Sequence, residues 1–343
     1  MTLVSITQNM ISQENKQPLI VILGPTASGK TKLAVNLASK INGEIISADS
    51  RQVYRGMTIG TGKDYEEYAP FFEKNDNFPS GIAGVHLIDV VEAGESYNVA
   101  FFQNDFVKAK NDIVFRNKIP ILCGGTGMYI EAVLRKYENT QVPVNQALRT
   151  ILEQKTDEEL IGLFQENCKK SNLNVILSNA DISTRKRLIR AIEIGEFQTQ
   201  TTENEIESKK ITPISDFIFH LFGITIPVEN RRERITKRLH ERLQNGMIEE
   251  VKKLLESGIS PEKLIFYGLE YKFITEYLTG ILTYDEMVKR LEIAIHQFAK
   301  RQMTFFRSME RKGLKIKWLD GLQSVEDLSK QVIDFIKNDR NDA

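Results

Sequence analysis

Cysteine is scarce in this chain: 343 residues contain two, Cys123 and Cys168. They lie far apart and in no metal-ligand spacing, which argues against a disulfide framework and for reduced thiols. No apolar run approaches the roughly 18 residues that a membrane span needs, and Met1 to Gln17 lacks the basic start and apolar stretch of a signal peptide. A soluble, cytoplasmic protein with no membrane partner is expected. An excess of one charge is also missing, since 46 Lys and Arg residues balance 46 Asp and Glu residues. Proteins that hold nucleic acid usually carry a basic excess, so a net of zero speaks against such a partner unless the charges are unevenly spread. Internal repeats and low-complexity tracts are absent too, and nothing marks an oligomer interface, so a monomer is expected. What remains is globular composition, 41% hydrophobic and 27% charged, over a length that suits about two structural units.

Leu19 to Leu23 is an unbroken apolar run of the buried parallel-strand type, followed at once by Gly24-Pro25 and a helical pattern from Lys30 to Ile41. Strand-like runs recur at Glu44–Ser47, Val85–Val90, Ile119–Cys123 and Phe217–Ile226, the first three separated by segments long enough for helical crossovers. That alternation predicts an α/β fold, a doubly wound and mostly parallel sheet. Between about Tyr137 and Lys210 the strand signal gives way to short amphipathic helices at Gln146–Leu152, Asp157–Phe164 with Thr156 as N-cap, and Ser183–Ile194. The chain therefore divides into a flexible arm at 1–16, a core at 17–137 and 211–320, a helical insertion at 138–210, and a C-terminal helix and tail at 321–343. In the core's second part the pattern predicts a charged helix from Glu229 to Leu255 and a long one from Tyr284 to Met309. Thr283 and Glu286 fit a capping box for the long helix, and Met287, Leu291, Ala294, Ile295, Phe298 and Phe305 fit its apolar face.

Gly24-Pro25-Thr26-Ala27-Ser28-Gly29-Lys30-Thr31 matches G-x-x-x-x-G-K-[ST], between a strand and a helix as a phosphate-binding loop requires. Glycines let backbone N–H groups turn inward on phosphate oxygens, and the helix N-terminus adds its positive dipole end. Lys30 adds a mobile charge, and the Thr31 hydroxyl can ligate Mg²⁺. A kinase, an ATPase and a transferase with a diphosphate leaving group all satisfy the motif. Asp49, after the second strand, emerges at the carboxyl edge of the sheet, where it can act as a proton acceptor or as a helix N-cap. Gly124-Gly125-Thr126-Gly127 follows the strand ending at Cys123 and reads as a second ligand-facing loop or as a tight turn and cap. No apolar strand ends in the Asp of an ATPase Walker B site.

The zero net charge hides a polarised chain. Gly60 to Ser96 holds eight acids and two bases, whereas Lys289 to Lys317 holds nine bases and two acids. Lys289, His296, Lys300 and Arg307 follow one another at 7, 4 and 7 residues, one stripe of a helix. Further clusters occur at Arg185, Lys186, Arg187 and Arg190, and from Arg231 to Arg242. Each alone fits a solvated helix face; together beside a diphosphate loop they fit a threaded polyanion.

The combination resembles the tRNA dimethylallyltransferases, also called tRNA isopentenyltransferases, from about Leu19 to Leu319. The resemblance rests on GPTASGKT, SADSRQVYRGMTIGTGK at Ser47 to Lys63, VHLIDV at Val85 to Val90, GGTGMY at Gly124 to Tyr129, RLIRAIE at Arg187 to Glu193 and AKRQMTFFR at Ala299 to Arg307, in family order. It implies a P-loop NTPase-like fold with a tRNA-binding insertion. The implied reaction moves a dimethylallyl group from dimethylallyl diphosphate to N6 of the adenine immediately 3′ of the anticodon in a tRNA anticodon stem-loop. Gly24 to Thr31 would hold the diphosphate with Mg²⁺ on Thr31, Lys30 would stabilise the leaving group, Asp49 would be the catalytic base, and Thr126 would position the substrate. By the same resemblance tRNA would be contacted by Asp49, Ser50, Arg51, Gln52, Thr126, Arg149, Lys186, Arg187, Leu188, Ile189, Arg190, Tyr271 and Lys272. The contacts would continue on the last long helix at Lys300, Arg301, Gln302, Met303, Thr304, Phe305, Phe306 and Arg307. The chain departs from the family pattern at Asp64 (usually Pro), Glu270 (usually Gly), Phe305 (often Trp) and Ser183-Thr184 (typically Asn-Asp). It carries no Cys/His finger after the last helix, so no zinc is expected.

Overall fold

The computed structural model describes residues 17–71, 84–135, 137–169, 182–200 and 217–339. The arm expected at 1–16 and the last four residues of the tail lie outside them. In chain order the elements are β1 (Gln17–Leu23), α1 (Lys30–Ile41), β2 (Gly43–Ser47), a 3₁₀ helix (Tyr65–Phe71), β3 (Val85–His86), α2 (Val99–Phe115), β4 (Ile119–Gly124) and α3 (Gly127–Leu134). A second 3₁₀ helix (Glu138–Gln141), α4 (Gln146–Glu153), α5 (Asp157–Lys169) and α6 (Arg185–Gln200) come next. The chain returns with β5 (Phe217–Thr225), α7 (Val228–Gln244), α8 (Met247–Glu256), α9 (Pro261–Tyr267), α10 (Leu269–Leu278), α11 (Tyr284–Arg311), β6 (Ile316–Asp320) and α12 (Val325–Asp339).

Six strands form one sheet in the order β3-β2-β4-β1-β5-β6, with every pairing parallel. β1, β2 and β4 are buried on both faces, which is why they read as continuous apolar runs rather than alternating ones. Their register sets where the loops meet. Leu23 pairs with Gly124 and Ser47 with Cys123, so three strands end level and their loops emerge side by side. Helix α1 and the C-terminal α12 pack on one side through Leu33, Leu37, Val332 and Ile336. A second core joins the loop after β2 (Val53, Tyr54, Met57) to α7, α8, α10 and α11.

The chain forms two compact units, 1–135 with 214–343, and 136–213. Within the second, α4, α5 and α6 enclose Leu152, Leu160, Leu188, Ile189 and Ile192. Thr156 caps α5, accepting from the Glu159 N–H at 3.3 Å while Glu159 accepts from the Thr156 N–H at 2.7 Å. The capping box at Thr283 and Glu286 is likewise formed.

Three sequence expectations need correction. The helix expected from Glu229 to Leu255 is two, because Gly246 takes φ 93°, a left-handed conformation that breaks the hydrogen-bond ladder between α7 and α8. The strand expected over Val85–Val90 stops at His86, and Leu87 and Asp89 turn to positive φ. On α11, Phe298 is exposed; the inner face keeps the expected Met287, Leu291 and Ile295 and continues through Ala299, Met303 and Phe306. Strand β6 carries no clear sequence signal, since its burial pattern is mixed.

Candidate functional site

The carboxyl ends of β1, β2 and β4 open into one trough of about 1850 Å³ in the larger unit. The three loops are fitted to each other at backbone level. Gly124 must lack a side chain, because a Cβ there would run into the Ala48 carbonyl. Ala48 N–H donates to Cys123 O at 2.7 Å, and Thr126 N–H donates to Ala48 O at 3.2 Å. Thr126 stands at the N-cap of α3, yet its hydroxyl leaves the helix uncapped and accepts from the Ser50 N–H at 3.0 Å. Its work is to tie the acid-bearing loop to the glycine loop.

The phosphate loop is wound by left-handed residues at Ala27 (φ 61°) and Gly29 (φ 88°). Ser28 Oγ is buried and has no hydrogen-bond partner among the described residues. A buried hydroxyl without a partner is an open position for a ligand oxygen, which is what a phosphate cradle offers. Burial lowers the pKa of Lys30, while Cys123 and Asp49 pull it back up. Burial also pushes the Cys123 thiol up to about 12, so it is neutral there. Tyr68, raised well above the ordinary phenol range by its burial, lies near the Thr31 side chain. The Thr31 hydroxyl lines the trough beside the phosphate loop and its oxygen can ligate a cation, so the residues present fit Mg²⁺ beside a diphosphate.

Asp49 caps no helix here, because turns and not a helix follow it. Its Oδ1 accepts from the Arg51 N–H at 2.9 Å, and Oδ2 has no partner among the described residues. Gln52 links the same loop outward, accepting from Ser47 Oγ at 2.9 Å and donating to Gly62 O at 3.0 Å.

The opposite wall comes from α7 to α11. Glu250 accepts from the N–H groups of Thr58, Ile59 and Gly60 at 2.9, 2.7 and 3.0 Å, and from Tyr271 Oη at 2.8 Å. One carboxylate thus shapes the whole 58–60 turn. Arg234, Arg238 and Arg242, spaced by four along α7, all line the trough. Arg238 and Arg242 ion-pair with Asp64. Burial pushes the Asp64 carboxyl up, but the two guanidinium groups outweigh it and hold it below its ordinary value. Arg238 feels burial and then Arg242 as unfavourable to its charge, and it lies close enough to Lys30 to lower that group's pKa as well. Lys30 and Arg238 therefore form a positive pole that an anion relieves. Glu270 also faces the trough, its pKa raised first by burial. The sequence shows a cluster from Arg231 to Arg242 without assigning it to this site; the i, i+4 spacing is the available signal.

The residues that the resemblance assigns to RNA fall into two groups. Ser50, Arg51, Gln52, Lys272 and Arg301 line the trough with Asp49, while Lys300, Thr304 and Arg307 are exposed on α11. Lys186 and Arg187 are exposed in the second unit. The others are buried or half-buried. Leu188 and Ile189 belong to the second unit's core, Met303 and Phe306 to the buried face of α11, and Tyr271 is buried under Gly60. Arg149 and Arg190 both clamp the buried Glu193, Arg149 at 2.8 Å. Gln302 is buried as well, accepting from the Thr26 N–H at 2.9 Å and donating to Gly125 O at 2.9 Å. These side chains brace the surface that others present. Phe305 packs over Gly127, where any Cβ would collide with its ring. His296 is half-buried, 3.6 Å from Glu292 one turn before it and 3.5 Å from the Thr236 hydroxyl.

Known proteins share this architecture. The sequence matches the family model for IPP transferase over residues 52–309 and that for isopentenyl transferase over residues 17–69. A tRNA dimethylallyltransferase 2 of Bacteroides fragilis is 48% identical over 319 residues, 93% of this chain and 96% of that one. The chain belongs to the tRNA dimethylallyltransferase family. A second such relative, tRNA dimethylallyltransferase 1 of Parabacteroides distasonis, is 49% identical over 310 residues, 90% of this chain and 94% of that one. The solved tRNA isopentenylpyrophosphate transferase of Bacillus halodurans superposes with a TM-score of 0.65 at 30% identity, covering 94% of this chain and 96% of that one. A eukaryotic dimethylallyltransferase solved while acting on tRNA gives a TM-score of 0.70 at 27% identity, over 94% of this chain and 80% of that one. The sheet is of the P-loop NTPase-like kind that these tRNA isopentenyltransferases have. Among the described residues no helix is long and apolar enough to cross a membrane.

Proposed function

We propose that the protein transfers a dimethylallyl group from dimethylallyl diphosphate to N6 of the adenine immediately 3′ of a tRNA anticodon, releasing diphosphate. The observation that carries this reading is the meeting, in one trough, of a phosphate loop with an open Ser28 hydroxyl and an acid, Asp49, whose second oxygen is unengaged. The loop N–H groups, Ser28, Lys30 and Arg238 bind the diphosphate and stabilise charge that accumulates as the allylic C–O bond breaks. Mg²⁺, when held at Thr31, supplies further neutralisation of that leaving group. The N6 lone pair forms the new C–N bond, and its proton passes to Asp49 Oδ2, with Oδ1 and Thr126 fixing the acid's orientation. Adenine reaches such a depth only when turned out of its stack, at a cost of a few kcal/mol that the exposed Lys300, Arg301, Arg307, Lys186 and Arg187 offset by holding phosphates. We infer a monomer working in the cytoplasm, where its thiols stay reduced.

The test incubates the protein with Mg²⁺, an unmodified anticodon stem-loop RNA and labelled dimethylallyl diphosphate, with ATP and small acceptors in a parallel reaction. Label on the RNA is the expected result. Phosphate transfer from ATP without prenylated RNA would overturn the reading in favour of a kinase.

A further inference from the structure

Phe266 is 72% exposed and lines the trough, on the short helix α9. An apolar ring left in water forgoes the free energy that burial yields, and here the exposure is built in. The next residue anchors the helix from inside. Tyr267 Oη accepts from the Gly94 N–H at 2.7 Å and donates to Glu95 O at 3.1 Å, and its ring lies 4.5 Å from that of Tyr54. With Tyr267 and Leu264 facing in, Phe266 faces out. The Arg51 guanidinium sits over its ring, 5.8 Å from the centroid. Arg51 is in turn fixed at its backbone by Asp49, so the aromatic–guanidinium pair begins two residues from the acid.

Turning one adenine out of an RNA loop strips its neighbours of a stacking face. Unstacked bases are received on aromatic rings and guanidinium planes, which bind any base because every base has a π-face. We propose that Phe266, with Arg51 across it, is a stacking platform for a base flanking the acceptor adenine. The assignment rests on the transferase reading above. The Phe266 ring differs from the phosphate contacts in being uncharged, so its removal leaves the salt dependence of RNA binding unchanged.

The experiment measures steady-state prenylation of a stem-loop RNA by wild type and by Phe266→Ala, Phe266→Leu and Phe266→Trp. A wild type that labels no RNA overturns the transferase reading and the platform together. With an active wild type, Phe266→Ala should raise KM for RNA by about 5- to 100-fold, the range that loss of one base–aromatic stack produces. KM for dimethylallyl diphosphate, the melting temperature and the salt slope should not change. Trp should restore the RNA KM and Leu should not. On RNAs made abasic at the 5′ or 3′ flank, one of the two should erase the difference between wild type and Phe266→Ala. Unchanged RNA KM in the Ala variant, or an equal penalty on intact and both abasic RNAs, overturns the platform while prenylation by wild type leaves the transferase reading standing. A KM rise confined to dimethylallyl diphosphate also overturns it and assigns the ring to the prenyl chain.

Discussion

Gln302→Met separates bracing from RNA contact on α11. Methionine nearly preserves the volume and apolar packing of Gln302 but cannot accept from Thr26 N–H or donate to Gly125 O. Gly125 is buried, so its carbonyl loses its partner at roughly 1–3 kcal/mol; the half-buried Thr26 N–H can turn to water at roughly 0.5–1 kcal/mol. The sum is about 1.5–4 kcal/mol. An unfolding entropy of about 2.1 cal/mol/K per residue gives about 0.7 kcal/mol/K for a chain this long, so the melting temperature should fall by roughly 2–6 °C. Thr26 belongs to the phosphate loop, and its freed N–H should also raise KM for dimethylallyl diphosphate several-fold. Calorimetry and substrate titrations check both, alongside RNA affinity measured at several salt concentrations. A variant with unchanged melting temperature and diphosphate KM but weakened RNA binding would refute the brace and restore Gln302 as an RNA contact.

Asp49→Asn should depress kcat by about 10²- to 10⁴-fold in single-turnover assays with diphosphate affinity largely intact; weakened binding with unchanged chemistry would reject its role as base. Arg307→Ala should lower RNA affinity and reduce the salt slope by about one, whereas Arg190→Ala should chiefly lower the melting temperature, since it leaves the buried Glu193 with fewer partners. An Arg190→Ala protein of wild-type stability would show that the clamp is idle. Glu44 is pushed up by burial, but Lys118, His86 and Arg116 outweigh this and hold it at about 2 against an ordinary 4.5. Its folded pKa lies below the unfolded one, so the stabilisation, on the order of 3 kcal/mol, is complete above about pH 4.5 and is lost as pH falls toward 2. Melting temperatures of wild type and Glu44→Gln should therefore converge across that window; parallel curves would exclude the linkage.

The sheet and the phosphate loop are legible because their signals are local: apolar runs for strands buried on both faces, and glycines at fixed offsets. Asp49 is found through its place after a strand. Arg238 is not, since its partner Asp64 and its positive neighbour Lys30 are remote in sequence and only the docking of α7 brings them together. The same limit explains why a motif such as AKRQMTFFR reads as one contact surface. A helix turns successive residues to different sides, so Lys300 and Arg307 face solvent while Gln302, Met303 and Phe306 face in. The break at Gly246 is hidden because glycine is tolerated within helices, and only its positive φ reveals a corner.

Gln302 stands 276 residues after the loop that it braces, and Glu250 about 190 after the turn that it shapes. The trough therefore has a date of completion during synthesis. At roughly 5–20 residues per second, the phosphate loop waits on the order of 14–55 s on the ribosome before its brace is made. Until then Thr26 lacks its brace, so a nascent chain should hold the diphosphate proposed for this loop several-fold more weakly than the finished protein.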